Sequence, residues 1–131
     1  MCWPASLGHI RSMDREVDVL VVDDDPDILA LLSGVLTELG LRVATASNGR
    51  TGLEQARRLL PYLVLSDVMM PIMRGDRMVE ALRADPATAD IRCVLMSAAA
   101  RDTSGDTYFF PKPFDLSHLE RLVMEWIPKP A

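Results

Sequence analysis

Five residues of this chain carry side chains that could work together in phosphate or metal chemistry, and each follows an apolar run. Asp23 and Asp24 close a β-branched run, Asp67 closes a second, Ser97 follows a third, and Lys112 lies just past a fourth. If those runs are strands of one parallel sheet, their carboxyl ends share a rim, which is where open α/β sheets bind ligands. Three carboxylates, a hydroxyl and an ammonium would meet there. Bare carboxylates at short range repel and raise one another's pKa. A hard divalent cation removes that conflict, and Mg²⁺ suits it because it takes one or two carboxylates, a carbonyl and several waters. Asp25 stands apart, since Asp25-Pro26 reads as a helix N-cap followed by a first-turn proline. Any one of these acids taken alone reads better as a helix cap or a solvated loop end. Acids at two strand ends, joined by Ser97 and Lys112, are what mark a site.

The elements that must position these residues are legible as an alternation. Residues 17–22 form a short apolar run ended by acids, as a buried parallel strand would. Leu29, Leu32, Leu36 and Leu39 follow at helical spacing, and Gly40 stops the helix. Residues 41–46 predict a strand, and 49–60 a helix ended by Pro61. Residues 62–66 predict a strand running into Asp67, with a long loop to Gly75. A helix over 76–84 is closed by Asp85-Pro86. Strands over 91–96 and 107–110 complete the set, and Asp115 caps a last helix carrying Leu116, Leu119, Leu122, Val123 and Trp126 before Pro128. Strands alternating with helices predict a doubly wound, five-stranded parallel sheet covered on both faces. Only residues 97–106 separate the last two strands, too few for a full crossover helix with its loops. That helix is expected to be missing or reduced to a turn around residues 101–105.

Composition bounds the function. With 131 residues the chain is expected to be one domain, over residues 17–131, and 49% hydrophobic residues suffice for a core. Residues 1–16 lack periodicity and are expected to form a flexible leader. A formal net charge of −5 argues against nucleic acid or an anionic membrane as partner. No apolar run is long enough to span a bilayer, and residues 1–15 lack a signal-peptide core. Cys93, inside an apolar run, reads as a buried small hydrophobe, while Cys2 lies near the terminus. His9 and His118 stand alone, so no zinc site is built. A reducing cytoplasm is the expected location.

Five blocks in order resemble the signature of bacterial response regulator receivers: Val21-Val22-Asp23-Asp24, Leu65-Ser66-Asp67-Val68-Met69-Met70-Pro71, Met73-Arg74-Gly75, Met96-Ser97-Ala98 and Lys112-Pro113-Phe114. Each block alone is weak, but five at the right strand ends are specific. The resemblance covers residues 17–127 and implies a flavodoxin-like receiver fold in a two-component or phosphorelay system. It implies that Asp67 is the phosphoacceptor, that Asp24 binds Mg²⁺ directly and Asp23 mainly through water, and that the Met69 backbone carbonyl is a further ligand. Lys112 would pair with Asp67 and then with the phosphoryl oxygens, Ser97 would hydrogen-bond one of them, and Phe109 would turn inward behind Ser97. The implied donor is a phosphohistidine on a sensor histidine kinase or histidine phosphotransfer protein, and the downstream partner is unnamed. Such a protein is a signalling switch, catalysing only its own phosphorylation and dephosphorylation.

This sequence also departs from the pattern. The reduced crossover would remove a surface that receivers use for dimerisation and output. Tyr62 stands where Asp is common, which is expected to be a neutral surface change. Met69 and Ala99 flank the position of an incoming water without a polar group to orient it, so self-dephosphorylation is expected to be slow. Pro111 and Pro113 stiffen the segment holding Lys112. Surplus apolar residues on the first helix, Ile28, Leu31 and Val35, are core or a docking patch, and Met69, Met70 and Met73 are expected to pack the loop. A competing reading is a receiver-like interaction module that works without phosphate. A Mg²⁺-dependent phosphatase is discounted, because Met69 stands where a second catalytic acid would be needed.

Overall fold

The computed structural model describes residues 16–97, 107–111 and 115–127. Its elements run β1 (Val19–Val22), α1 (Pro26–Glu38), β2 (Val43–Ala46), α2 (Gly49–Leu59), β3 (Leu63–Asp67), α3 (Gly75–Ala84), β4 (Arg92–Ser97), β5 (Thr107–Pro111) and α4 (Leu116–Trp126). The strands pair in the order β2-β1-β3-β4-β5, and every pairing is parallel. The chain therefore winds outward from β1 in both directions, and the reversal falls between β1 and β3.

Strand alternation divides the apolar residues between two faces. Val19 and Val21, Leu63 and Leu65, and Val94 and Met96 face α1 and α4, where Leu32, Leu36, Leu119 and Val123 meet them. Leu20, Val22, Val64, Cys93 and Leu95 face α2 and α3, against Leu53, Ala56, Met78 and Leu82. All four residues of β1 are fully buried, which explains why that strand reads as an unbroken apolar run. Each fully buried leucine contributes about 2 kcal/mol by removing its surface from water.

The helix ends follow the caps. Asp25, Asn48 and Asp115 each accept a backbone N–H from the first turn of their helix, at 2.9 Å, from Asp27, Thr51 and Ser117. Gly40 turns the chain after α1 with φ +88°. At the end of α2 the left-handed turn is made by Leu60, φ +49°, just before Pro61. Thus α2 stops one residue short of the expected end.

At the foot of the sheet, Asp18 is fully buried and held by Arg42. The guanidinium reaches its two oxygens at 2.9 and 3.2 Å, and the Arg42 backbone N–H adds a bond of 2.8 Å. The hydrogen bond to Asp18 lifts the Arg42 guanidinium above its ordinary value. The Asp18 carbonyl in turn accepts the N–H groups of Tyr62 and Leu63. Tyr62 corrects one expectation. It is no surface change, because only 2% of it is exposed and it belongs to the core on the α1 and α4 face.

Residues 1–15 of the expected leader lie outside the described residues. So does the 98–106 segment, and with it the expectation of a reduced crossover helix. Among the described residues, no helix is long and apolar enough to cross a membrane.

Candidate functional site: an acidic rim at the carboxyl ends of the central strands

Asp23 and Asp24 follow directly on β1, and Asp67 ends the neighbouring β3. The register pairs Val22 with Ser66, so the next residues, Asp23 and Asp67, leave the sheet side by side. One carboxylate oxygen from each of Asp23, Asp24 and Asp67 lies within 4.8 Å of the others. Asp23 is buried, with 1% exposure, Asp67 is half-buried and Asp24 is exposed. The cluster is thus closed at its base and open on top.

Local hydrogen bonds fix these carboxylates. Asp23 Oδ1 accepts the Asp25 N–H at 2.9 Å, and Asp67 Oδ1 accepts the Val68 N–H at 2.9 Å. Behind Asp67, the buried Ser66 hydroxyl donates to the Asp67 carbonyl at 2.8 Å. Gly75 closes the same spot, its N–H bonded to the Val68 carbonyl at 2.9 Å. A Cβ at Gly75 would collide with the Asp67 carbonyl oxygen, so the close approach demands glycine.

The donor set fits a hard divalent cation. All three groups are carboxylates, the spacing lets one ion touch an oxygen of each, and three negative charges at this range need compensation. Asp25 contributes no ligand, since its carboxylate caps α1 as expected.

The loop from Asp67 to α3 carries the feature that residue types did not signal. Met70 is buried and Met73 half-buried, packed on the α2 and α3 face, whereas Met69 is 63% exposed. Ile72 is 75% exposed and has φ +71°. The Met73 N–H reaches back to the Pro71 carbonyl at 2.7 Å, closing a three-residue turn around it. Positive φ is a habit of glycine and asparagine, so a β-branched residue gives no hint of it. The loop ends at Arg74, which is paired with Asp76 at 3.0 Å. Burial alone would raise the Asp76 pKa, but the Arg74 hydrogen bond and charge outweigh it and hold the carboxyl below its usual range.

The remaining predicted residues are located by backbone alone. Ser97 is the last residue of β4, one past Met96, which pairs with Asp67. It pairs with Pro111, the end of β5, so Lys112 is the next residue in sequence. Lys112 itself lies outside the described residues. Phe109 pairs with Leu95 in β5, and the side chains of Ser97 and Phe109 also lie outside the described part. Cys93 is buried, as expected.

Residues 19–124 match the family described as response regulator receiver domain. A 14.6 kDa protein of Leptolyngbya boryana is 36% identical over 85% of this chain and 90% of its own length. The hybrid signal transduction histidine kinase D of Dictyostelium discoideum is 35% identical over 77% of this chain, but only 7% of its own length. The transcriptional regulator RpaA of Synechocystis is 34% identical over 77% of this chain and 45% of its own. This chain therefore spans less than half of those two longer relatives. Among solved structures, chemotaxis protein CheY4 of Vibrio cholerae superposes with a TM-score of 0.73 at 28% identity, covering 84% of this chain and 98% of that one. The receiver domain of a Pseudomonas aeruginosa sensor histidine kinase, with magnesium coordinated in its active-site cleft, shares the fold. Its TM-score is 0.76 at 23% identity, over 84% of this chain and 96% of that one.

Proposed function

The chain belongs to the response regulator receiver domain family, and from that premise we propose that it is the phosphoacceptor of a two-component or phosphorelay pathway in the cytoplasm. The observation that carries this reading is the cluster of Asp23, Asp24 and Asp67 within 4.8 Å, with Asp67 half-buried at the end of β3. Asp67 is the nucleophile of the proposal. Its carboxylate oxygen forms the new O–P bond as the N–P bond of a donor phosphohistidine breaks. The imidazole keeps that electron pair and takes up a proton from solvent.

The chain's own residues contribute orientation and charge. The Val68 N–H on Oδ1 fixes the orientation of the Asp67 carboxylate for attack. Asp24, Asp23 mainly through water, Asp67 and the Met69 carbonyl would hold Mg²⁺. When bound, that ion supplies Lewis-acid stabilisation of the charge that develops during transfer. Lys112 and Ser97 are assigned to the phosphoryl oxygens, and Phe109 with Ser97 to the switch that follows. The protein acts on no other substrate in this reading. Its donor is a sensor histidine kinase or a histidine phosphotransfer protein, and its output is a changed surface read by another protein.

The test is exposure of the full chain to acetyl phosphate with Mg²⁺, read by intact-protein mass spectrometry. One added phosphoryl group is expected, and an Asp67→Asn variant should gain none. A wild-type chain that stays unmodified, and whose amide spectrum ignores beryllofluoride, would instead be an interaction module that works without phosphate.

A further inference from the structure

We propose that Ile72, flanked by Met69, is the apolar anchor on which the phosphoryl donor protein docks over the acidic rim. The inference rests on the phosphoacceptor reading and names the surface that selects the donor. Two independent features single out Ile72. It is the most exposed of the large hydrophobic residues described, at 75%, with Met69 next at 63%. It also sits at φ +71° in a turn closed by the Met73 N–H and the Pro71 carbonyl. A β-branched side chain is disfavoured in that conformation, and glycine or asparagine would relieve it. An exposed side chain that neither fills the core nor suits its own backbone contributes nothing to folding.

The turn is also built to hold its tip still. Met70 is buried beneath it, the Met73 carbonyl accepts the Gly49 N–H of α2 at 3.1 Å, and Gly75 ties the loop back to Val68. A rigid apolar tip loses little freedom when covered. The loop starts at Asp67 itself, so any molecule that brings a phosphohistidine to that carboxylate comes to this tip as well.

Charge selects the occupant. Asp24, Asp25 and Asp27 are exposed along the start of α1, beside Asp67. A second copy of this chain would set acid against acid. The complementary surface is a donor face with an apolar socket beside its histidine and lysines or arginines around it.

The experiment uses the full chain and its Ile72→Gly and Ile72→Asn variants, both suited to positive φ. Purified, autophosphorylated histidine kinases of the source organism serve as donors, and acetyl phosphate with Mg²⁺ serves as the small donor that needs no docking. Both variants should lose about tenfold or more in kcat/KM with the kinase that serves the wild type best, the size of a lost anchor residue. Labelling by acetyl phosphate should stay within about twofold, and the thermal midpoint should stay level or rise. Unchanged transfer from the kinase overturns the proposal. So does a parallel loss of acetyl phosphate labelling, because Ile72 would then act by shaping the site. A wild-type chain that accepts phosphate from neither source sinks the underlying reading instead, and is recognised without any variant.

Discussion

Asp67 is held from behind by the Ser66 hydroxyl and Gly75, and from its flank by the Val68 N–H, while Met69 projects into solvent two residues on. An exposed thioether accepts hydrogen bonds poorly, so nothing at that position aligns a water for attack on a phosphorylated Asp67. The phosphoryl group should therefore persist for minutes or longer, and Met69→Asn should shorten its lifetime by up to about tenfold, the worth of one hydrogen bond that orients the water. Decay of the phosphorylated protein followed by mass spectrometry decides this, and a wild-type lifetime of seconds would refute it. The acids at 23, 24 and 67 were legible in the sequence because each ends an apolar run, and run ends in a parallel sheet share one rim. Ile72 was not, because an exposed positive-φ isoleucine obeys no propensity. Tyr62 was misread because the residue before a strand looks peripheral, whereas here its backbone is drawn to the Asp18 carbonyl and its ring into the core.

At the scale of elements, two glycines set the distances between helices and the site loop. Gly75 begins α3 against the Asp67 carbonyl, and Gly49 begins α2 against the Met73 carbonyl, where a Cβ would strike backbone that has no room to move. Gly75→Ala should therefore cost about 3 kcal/mol, at the upper end for overpacking, and should displace Asp67. Urea unfolding measures the first and loss of acetyl phosphate labelling the second. A stability within about 0.5 kcal/mol of wild type would show that the loop yields easily. Helix starts were readable at Asp25 and Asp115 from side chains that cap, but α3 has Arg74 at its N-cap position, with no side-chain capping bond. Its beginning is fixed by tertiary fit, which no local pattern encodes. The early end of α2 is local instead: Leu60, directly ahead of Pro61, takes a left-handed rather than a helical conformation.

Over the whole molecule, apolar burial on both faces of the sheet works against a rim that gathers three carboxylates. Mg²⁺ should raise the thermal midpoint by binding only the folded state, by about 2.7 kcal/mol of stability at a hundredfold excess over its Kd. Asp24→Asn should raise the midpoint without metal, by easing repulsion, and blunt the further rise on adding Mg²⁺. Calorimetry with and without the ion tests both, and a Mg²⁺ response equal in the two proteins would remove Asp24 from the metal site. The opposite end of the sheet is built otherwise. Asp18 and Arg42 tie the start of β1 to the approach to β2, and the Asp18 carbonyl fastens the start of β3. That anchorage lies roughly 17 Å along the strand from Asp23, at about 3.3 Å per residue. The three strands therefore behave like reeds bound at their base: whatever disturbs the free tips swings the loops above them, while the bound ends keep the sheet's alignment.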